Sequence, residues 1–337
     1  MLLTRLRRAV PPAKRPDRGL LARIFREAVA SPGLRQPGEG GFRLRSAAFR
    51  LGCSLTLLAL CALPPSARAQ KGPHPLPNYL ELTPPDQAEG RAIIEAFRRQ
   101  GIAGEYYLEF ELRVLPRHGA ERVLLGRLWG SRNAIGPISR VSVRAPAAGS
   151  QSGEVRLLIQ SGPQPQIWRW VEGSGSPATP LGIGALFEPV AGTDLTAFDL
   201  QMPFLYWPEF VYEGLARMHG RPAHQFLFYP PADVAQRNPA LRGVRAYLDT
   251  QYTALVQAEL IGENDQALKS LSILDLKKID DQWIVKSVDL REESTRNKTR
   301  FAVTAAALNQ HFSPAVFEPT SLSAPAAIPD GLVNLTP

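Results

Sequence analysis

"EYYLEFELRVL", Glu105–Leu115, alternates without a break: Tyr106, Leu108, Phe110, Leu112 and Val114 fall on one side, and Tyr107, Glu109, Glu111 and Arg113 on the other. A period of two held over such a run describes a strand of an antiparallel sheet with one face buried. Just upstream, Ile93, Ile94 and Phe97 recur at helical spacing and stop before Gly101. Thr83 stands at the N-cap position, Pro84 suits the first turn and Asp86 the capping-box position, so one amphipathic helix is expected over about 84–100. Downstream, strand-like runs recur at about 121–130, 138–145, 154–160 and 165–172, with Pro, Gly and Ser between them, which is the spacing of a meander.

Beyond the loose stretch "EGSGSPATPLGIGA", the pattern resumes. "HGRPAHQFLFYPP" reads as a strand stopped by Pro230, and "GVRAYLD" with "ALVQAELIG" as a hairpin. "KSLSILDLKKIDDQWIVKSVDLREE" reads as a second hairpin turning near Asp280 and Asp281, and "TRFAVTAA" as a last strand. The expected fold is α+β: about ten to eleven antiparallel strands, too wide to lie flat, with few helices. An apolar sheet face needs a second layer, and where helices do not suffice the uncovered area lines a cavity suited to an apolar ligand.

A candidate cover lies at "DLQMPFLYWPEFVYEG", Asp199–Gly214. Pro203 suits a helix start, and Pro208 biases Trp207 toward extended backbone, so "PFLYW" and "PEFVYEG" read as two short turns with a joint between them. Phe204 and Trp207 share a face, and Phe210 and Val211 can point inward while Glu209 and Glu213 meet water. The candidate ligand-binding residues are Tyr106, Leu108, Phe110, Leu112, Trp168 and Trp170 on the sheet, with Phe204, Leu205, Trp207, Phe210 and Val211 in the cover.

The net charge of +8 is unevenly placed. Residues 1–69 hold 13 Lys/Arg against Asp17, Glu27 and Glu39; of the chain's 39 basic and 31 acidic residues, 26 and 28 therefore follow Ala69. A slightly acidic mature chain argues against a nucleic-acid partner, because phosphate attraction would be weak. "RLGCSLTLLALCALPPSARAQ" has the basic flank, short apolar run and small-x-small site of a secretory signal peptide, so residues 46–69 are expected to be cleaved after Ala69. Residues 1–45 read as a basic disordered extension or an over-extended start, 70–82 as a proline-rich lead-in, 83–312 as the folded domain, and 313–337 as a Pro/Ser-rich tail. Cys53 and Cys61 fall within the leader, which leaves the mature chain without thiols. "LALC", Leu58–Cys61, is the second reading, a lipid-anchored envelope protein, although Leu60 stands where a small residue is usual.

Enzyme chemistry is not indicated. His74, His118, His219, His224 and His311 form no metal-binding pair, and His219 and His224 fall on opposite faces of their expected strand. There is no nucleophile elbow and no phosphate-binding glycine loop, and Asp275, Asp280 and Asp281 fit hairpin-turn residues. No cofactor or metal is expected.

Three stretches in order, "GTDLTAFDLQMPFLYWPEFVYEG", "GRPAHQFLFYPP" and "VRAYLDTQYTALVQAELIGENDQALKSLSILDLKKIDDQWIVKSVDLREESTRNKTRFAV", resemble the LolA-like outer-membrane lipoprotein-sorting protein family. The likeness runs over about 83–308 in element order and is most specific from 190 to 304. It implies a strongly curved antiparallel half-barrel whose concave face is covered by helices acting as a lid over a hydrophobic cavity. It also implies a periplasmic, non-enzymatic monomer that binds acyl chains of lipoproteins or lipids, with an inner-membrane donor and an outer-membrane acceptor protein. Carriers of the family hold the lid with an arginine on an early strand; Arg113 and Arg127 are the candidates by region. The same fold also serves as envelope sensor and protein-interaction module.

Overall fold

A computed structural model describes residues 84–144 and 153–336, within one compact unit, Tyr79–Pro337. The expected signal peptide, the basic stretch before it, the proline-rich lead-in and Thr83 lie outside the described residues. Helix α1 (Gln87–Arg99) begins at Asp86, whose side chain accepts from Ala88 N, so the N-cap is Asp86 and not Thr83. Its apolar stripe survives as read: Ile94 is buried, with Ile93 and Phe97 packed beside it.

Among the described residues, fourteen strands form one open antiparallel sheet. A first meander comprises β1 (Glu105–Leu115), β2 (Arg122–Arg132), β3 (Pro137–Arg144), β4 (Glu154–Gln160), β5 (Gln166–Val171) and β6 (Thr179–Pro180). A second comprises β7 (Phe210–Met218), β8 (Arg221–Phe228), β9 (Gly243–Asp249), β10 (Leu255–Ile261), β11 (Ala267–Ile279), β12 (Gln282–Glu292) and β13 (Lys298–Gln310). β13 pairs with β1, which joins the meanders, and β14 (Val333–Asn334) pairs with β13 at Ala305 and Ala306. The expectation of ten to eleven strands was too low. Two-residue strands such as β6 and β14 carry no readable period, and β7 was hidden by the aromatic crowding at its start.

This order fixes where the β6–β7 connection must run. β6 and β7 are the two ends of the sheet, so the chain between them has to cross from one edge to the other. It does so as a 3-10 turn (Ile183–Phe187), helix α2 (Ala197–Gln201) and a second 3-10 turn (Pro203–Tyr206). A further short helix, α3 (Ala232–Arg237), fills the β8–β9 connection and buries Val234. Together with α1 these segments meet the alternate residues Phe110, Leu112, Val141, Leu157, Phe226, Val244 and Leu248 in a continuous apolar core.

The opposite face is not left to water. Tyr107, Trp129 and Ala307 pack with Phe312, Val316 and Phe317, and Ile138 and Leu158 pack with Leu322, which is fully buried. Read from sequence as an appended Pro/Ser-rich tail, residues 313–336 fold into two 3-10 turns, Pro314–Phe317 and Pro319–Ser323, and the short β14. Two buried arginines pin them: Arg140 donates to the carbonyls of Ser321 and Ala324, and Arg156 donates to those of Leu322 and Ser323, both at 2.9 Å.

Glu154 lies beside these arginines. Its burial would raise its carboxyl, yet hydrogen bonds from Arg156, Ser142 and Arg144 carry it down to about 2. A depressed carboxylate stabilises the fold fully above its unfolded value and loses that contribution as pH falls through the folded one. Asp289, held low by Arg300 and Lys298 against its own burial, acts in the same direction. The urea midpoint should therefore fall between about pH 5 and pH 2, and Glu154→Gln should flatten that fall. An unchanged slope in the variant would mean that Glu154 is not a source of it.

Candidate functional site

The site is where the edge-to-edge connection crosses the sheet. "TAFD", Thr196–Asp199, starts α2 with a capping box: Thr196 Oγ1 accepts from Asp199 N at 3.2 Å, and Asp199 Oδ2 accepts from Thr196 N at 2.8 Å. The helix lasts five residues because Met202 takes left-handed backbone (φ 48°, ψ 54°), after which Pro203 opens the next turn. A side chain larger than glycine at such an angle costs about 1 kcal/mol, so the joint of the segment is held open by its surroundings. Met202 adds a joint ahead of the aromatic pair, and the joint that the two prolines suggested is also present: the turn ends at Trp207, whose backbone is extended (φ −60°, ψ 140°) before Pro208.

Around this joint the aromatic side chains interlock. Phe198 lies 4.8 Å from Phe187, 6.1 Å from Phe204 and 6.1 Å from Trp207, by ring centroids. Phe204 reaches Phe228 of β8 at 5.9 Å, and Phe210 reaches the same ring at 5.4 Å. Edge-on and tilted pairs at these separations add about 0.5–1.5 kcal/mol each beyond area burial.

Polar groups fasten the same segment at separate points. Lys269, on β11, forms a buried ion pair with Asp199 and donates to the Asp194 carbonyl. Thr299, on β13, is fully buried; its Oγ1 donates to Asp194 Oδ2 at 2.8 Å and accepts from Asp194 N at 3.0 Å. Arg98 of α1 donates to the Leu205 carbonyl at 2.6 Å and stacks over Tyr206, and Arg122 of β2 donates to the Gly192 carbonyl at 2.6 Å. Gln201 closes the far end by donating to the Gln160 carbonyl at 2.8 Å.

Arg113 and Arg127 do not hold the β6–β7 connection. Arg113 pairs with Glu111 at 2.8 Å and Arg127 approaches Glu109 at 4.0 Å, all four residues pointing away from the core by strand alternation. Lys269, Thr299, Arg98 and Arg122 do the fastening instead. The Thr-x-x-Asp pattern was the sequence signal that could have found Asp199; nothing local marks Lys269 or Thr299, which come from strands about 70 and 105 residues away.

The sequence-derived lining separates into groups. Phe110, Leu112, Phe204, Leu205, Trp207 and Phe210 come together in the core. Tyr106 and Leu108 belong to a neighbouring cluster with Ile279, Ile284 and Leu335. Trp168 and Trp170 lie on the opposite face with Leu322 and Phe317 as neighbours, because β5 presents Ile167 to the core and so turns its even positions away.

Val211 does not face the core. "PEFVYEG" is not a turn: from Phe210 it is strand β7, so Val211 points outward at 40% exposure while Tyr212 is buried. His219 sits in the β7–β8 turn with φ 48°, not on a strand, and His224 on β8 hydrogen-bonds Tyr212 through Nδ1 at 2.8 Å. α1 meets this edge strand closely. Gln87 mimics a neighbouring strand by donating to the Tyr212 carbonyl and accepting from its N–H, both at 2.9 Å. A Cβ at Gly90 would fall 2.5 Å from Tyr212 Cβ, so only glycine permits the approach.

Among the described residues no group of three or more His, Cys, Asp and Glu could hold a metal ion, and no helix is long and apolar enough to cross a membrane.

A family model described as "Uncharacterized protein" matches residues 186–324. No curated protein matches the sequence. Among solved structures, a DUF1329 family protein from Desulfovibrio piger is similar with a TM-score of 0.60 and 14% identity, over 70% of this chain and 98% of its own. A putative outer membrane lipoprotein-sorting protein domain from Vibrio parahaemolyticus gives 0.59 and 14%, over 69% and 97%. A LolA superfamily protein from Nitrosomonas europaea gives 0.51 and 12%, over 68% and 96%. The fold of this chain resembles that of DUF1329 and LolA-superfamily structures.

Proposed function

We propose that the chain is a non-enzymatic periplasmic binder of acyl chains, carrying lipids or lipoproteins toward the outer membrane through an apolar cavity that the aromatic segment fills when empty. The observation that carries this reading is the segment itself: an apolar plug of Phe198, Phe204 and Trp207, fastened to the sheet by a few polar latches. In this reading the sheet is the wall of a half-barrel, and α1 with the β6–β7 connection is the lid over its concave face. The resemblance to lipoprotein-sorting folds and the signal-like leader agree with it.

Affinity is readily available to such a site. Each buried methylene contributes about 0.8 kcal/mol, so a chain of about 16 carbons gains on the order of 10 kcal/mol. Release is the harder requirement, and it needs closed and open forms separated by only a few kcal/mol. In the closed form the plug replaces the ligand, so expelling the acyl chain does not leave a void; the latches set how far the balance leans to closure.

Purified protein extracted with organic solvent should yield lipid by mass spectrometry, and a fluorescent fatty-acid probe should bind the stripped protein. Arg98→Ala, which removes the donation to the Leu205 carbonyl, should cost about 1.5 kcal/mol of stability and speed probe uptake by about tenfold. No lipid in the extract together with no probe binding would sink the reading.

A second reading, an envelope sensor or protein-interaction module, is favoured by the edge strand β7. Gln87 makes there the main-chain hydrogen bonds that an added strand would make. Recovery of one stoichiometric protein partner from the envelope, with no lipid, would select it over the first.

A further inference from the structure

The face away from the plug carries a charged grid. Strand register puts Leu125, Arg144 and Glu154 in one row, Glu109, Arg127, Ser142 and Arg156 in the next, and Tyr107, Trp129, Arg140 and Leu158 in a third. The tail covers the third row with Phe317 and Leu322 and stops short of the other two. A cavity of about 410 Å³ remains over them and extends to Trp129 and Arg140 of the third row, with Glu109 and Glu154 lining it beside Arg127, Arg144 and Arg156.

The acids there do not balance the bases. Glu154 is engaged by Arg144, Arg156 and Ser142, and Glu109 by Tyr107 and the distant Arg127. Arg140 is 2% exposed and, among the described residues, pairs with no carboxylate. Its two terminal nitrogens donate to the tail, to Ser321 Oγ at 3.1 Å and to the Ala324 carbonyl, while its Nε has no partner. Burial, and after it the nearby Arg156, push this guanidinium down to about 10 against the pull of Glu154. An orphaned, buried donor of this kind is costly, and a bound anion would relieve the cost.

We propose that this cavity is an anion site for a phosphate group, with Arg140 and Arg127 as its donors and Leu125 and Trp129 as apolar walls for whatever carries the phosphate. Phosphate offers an oxygen to each guanidinium, which a single carboxylate held by both arginines does less readily. The site is on the opposite face of the sheet from the plug, so it does not depend on acyl-chain binding there. The phosphate can belong to a lipid headgroup or to a free metabolite.

The test titrates the intact protein with inorganic phosphate, with glycerol 3-phosphate and with phosphatidylglycerol or phosphatidylcholine vesicles, reading tryptophan fluorescence and calorimetry. Saturable binding of the soluble phosphates should fall about tenfold in both Arg140→Gln and Arg127→Gln. Arg127 pairs with Glu109 and, among the described residues, has no hydrogen bond or ion pair to the tail, so its variant reports on the site even where Arg140→Gln loosens residues 313–336. Binding of phosphatidylglycerol vesicles far above that of the soluble phosphates assigns the phosphate to a lipid headgroup; comparable binding of glycerol 3-phosphate assigns it to a free metabolite. Absence of saturable binding by the unmodified protein, or equal binding by it and Arg127→Gln, overturns the proposal.

Discussion

Lys269→Met should destabilise the protein by about 3–5 kcal/mol, the largest loss expected from any single polar substitution here. Asp199 is buried, and removing its cationic partner leaves a carboxylate with only Thr196 to meet its charge. The same substitution frees the Asp194 carbonyl, which Lys269 also serves. Methionine keeps most of the volume, so the loss isolates the charge from the packing. Adding Asp199→Leu in the same chain should recover most of the stability, because breaking a buried pair is costly while replacing the whole pair by apolar groups is close to neutral. Urea unfolding of the two single variants and the double variant measures this. A loss below about 1 kcal/mol for Lys269→Met would mean that water reaches Asp199. The functional corollary is that the double variant keeps the segment in place by packing alone and opens less readily, so its probe uptake should be slower than that of Arg98→Ala.

Phe204→Ala is the second large effect, at about 3–5 kcal/mol. The ring is 2% exposed and touches Phe198, Trp207 and Phe228, so its removal loses both transfer energy and a set of aromatic contacts. The sequence pattern alone suggested a lid residue, whose loss would weaken lipid binding more than stability. Its burial reverses the order: stability should suffer most. Because the void is lined by aromatic and aliphatic groups, it should stay dry and accept a small apolar probe, so probe affinity per folded molecule should be maintained or raised. Thermal unfolding with and without probe separates the two effects. A folded, fully stable Phe204→Ala protein would show that the ring is not core, and lost probe affinity in a stable variant would restore the simpler lid description.

How much of this was legible varies with the range of the interaction. β1, β4 and β9 were read with the bounds they have: β1 by its local alternation, and β4 and β9, which are buried at nearly every position, by short apolar runs set between turn residues. The turn at Asp280 and Asp281 was equally plain; Asp280 has φ 51°, which a short polar side chain tolerates. β7 was missed because Pro208 and the surrounding aromatics spoke for a broken turn, whereas pairing with β8 settles Phe210–Met218 as strand. Residues 313–337 read as a Pro/Ser-rich tail because Phe317 and Leu322 are isolated in sequence, and only the apolar patch around Tyr107, Trp129 and Leu158 gives them something to bury against.

What the sequence determined by itself is the alternating sheet, the single amphipathic helix, the hairpins and the gathering of aromatics at 198–212. These follow from periods of two and 3.6 residues and from turn chemistry, which act over a few neighbours. The tertiary structure decided which face each strand shows, that the aromatic segment links the two ends of the sheet, and that Lys269 and Thr299 are the groups that fasten it. It also decided that Trp168 and Trp170 lie under the tail and not in the core. Those choices depend on burial of a charge beside its opposite and of an apolar surface beside another, and such partners are selected by proximity in space that no local pattern along the chain encodes.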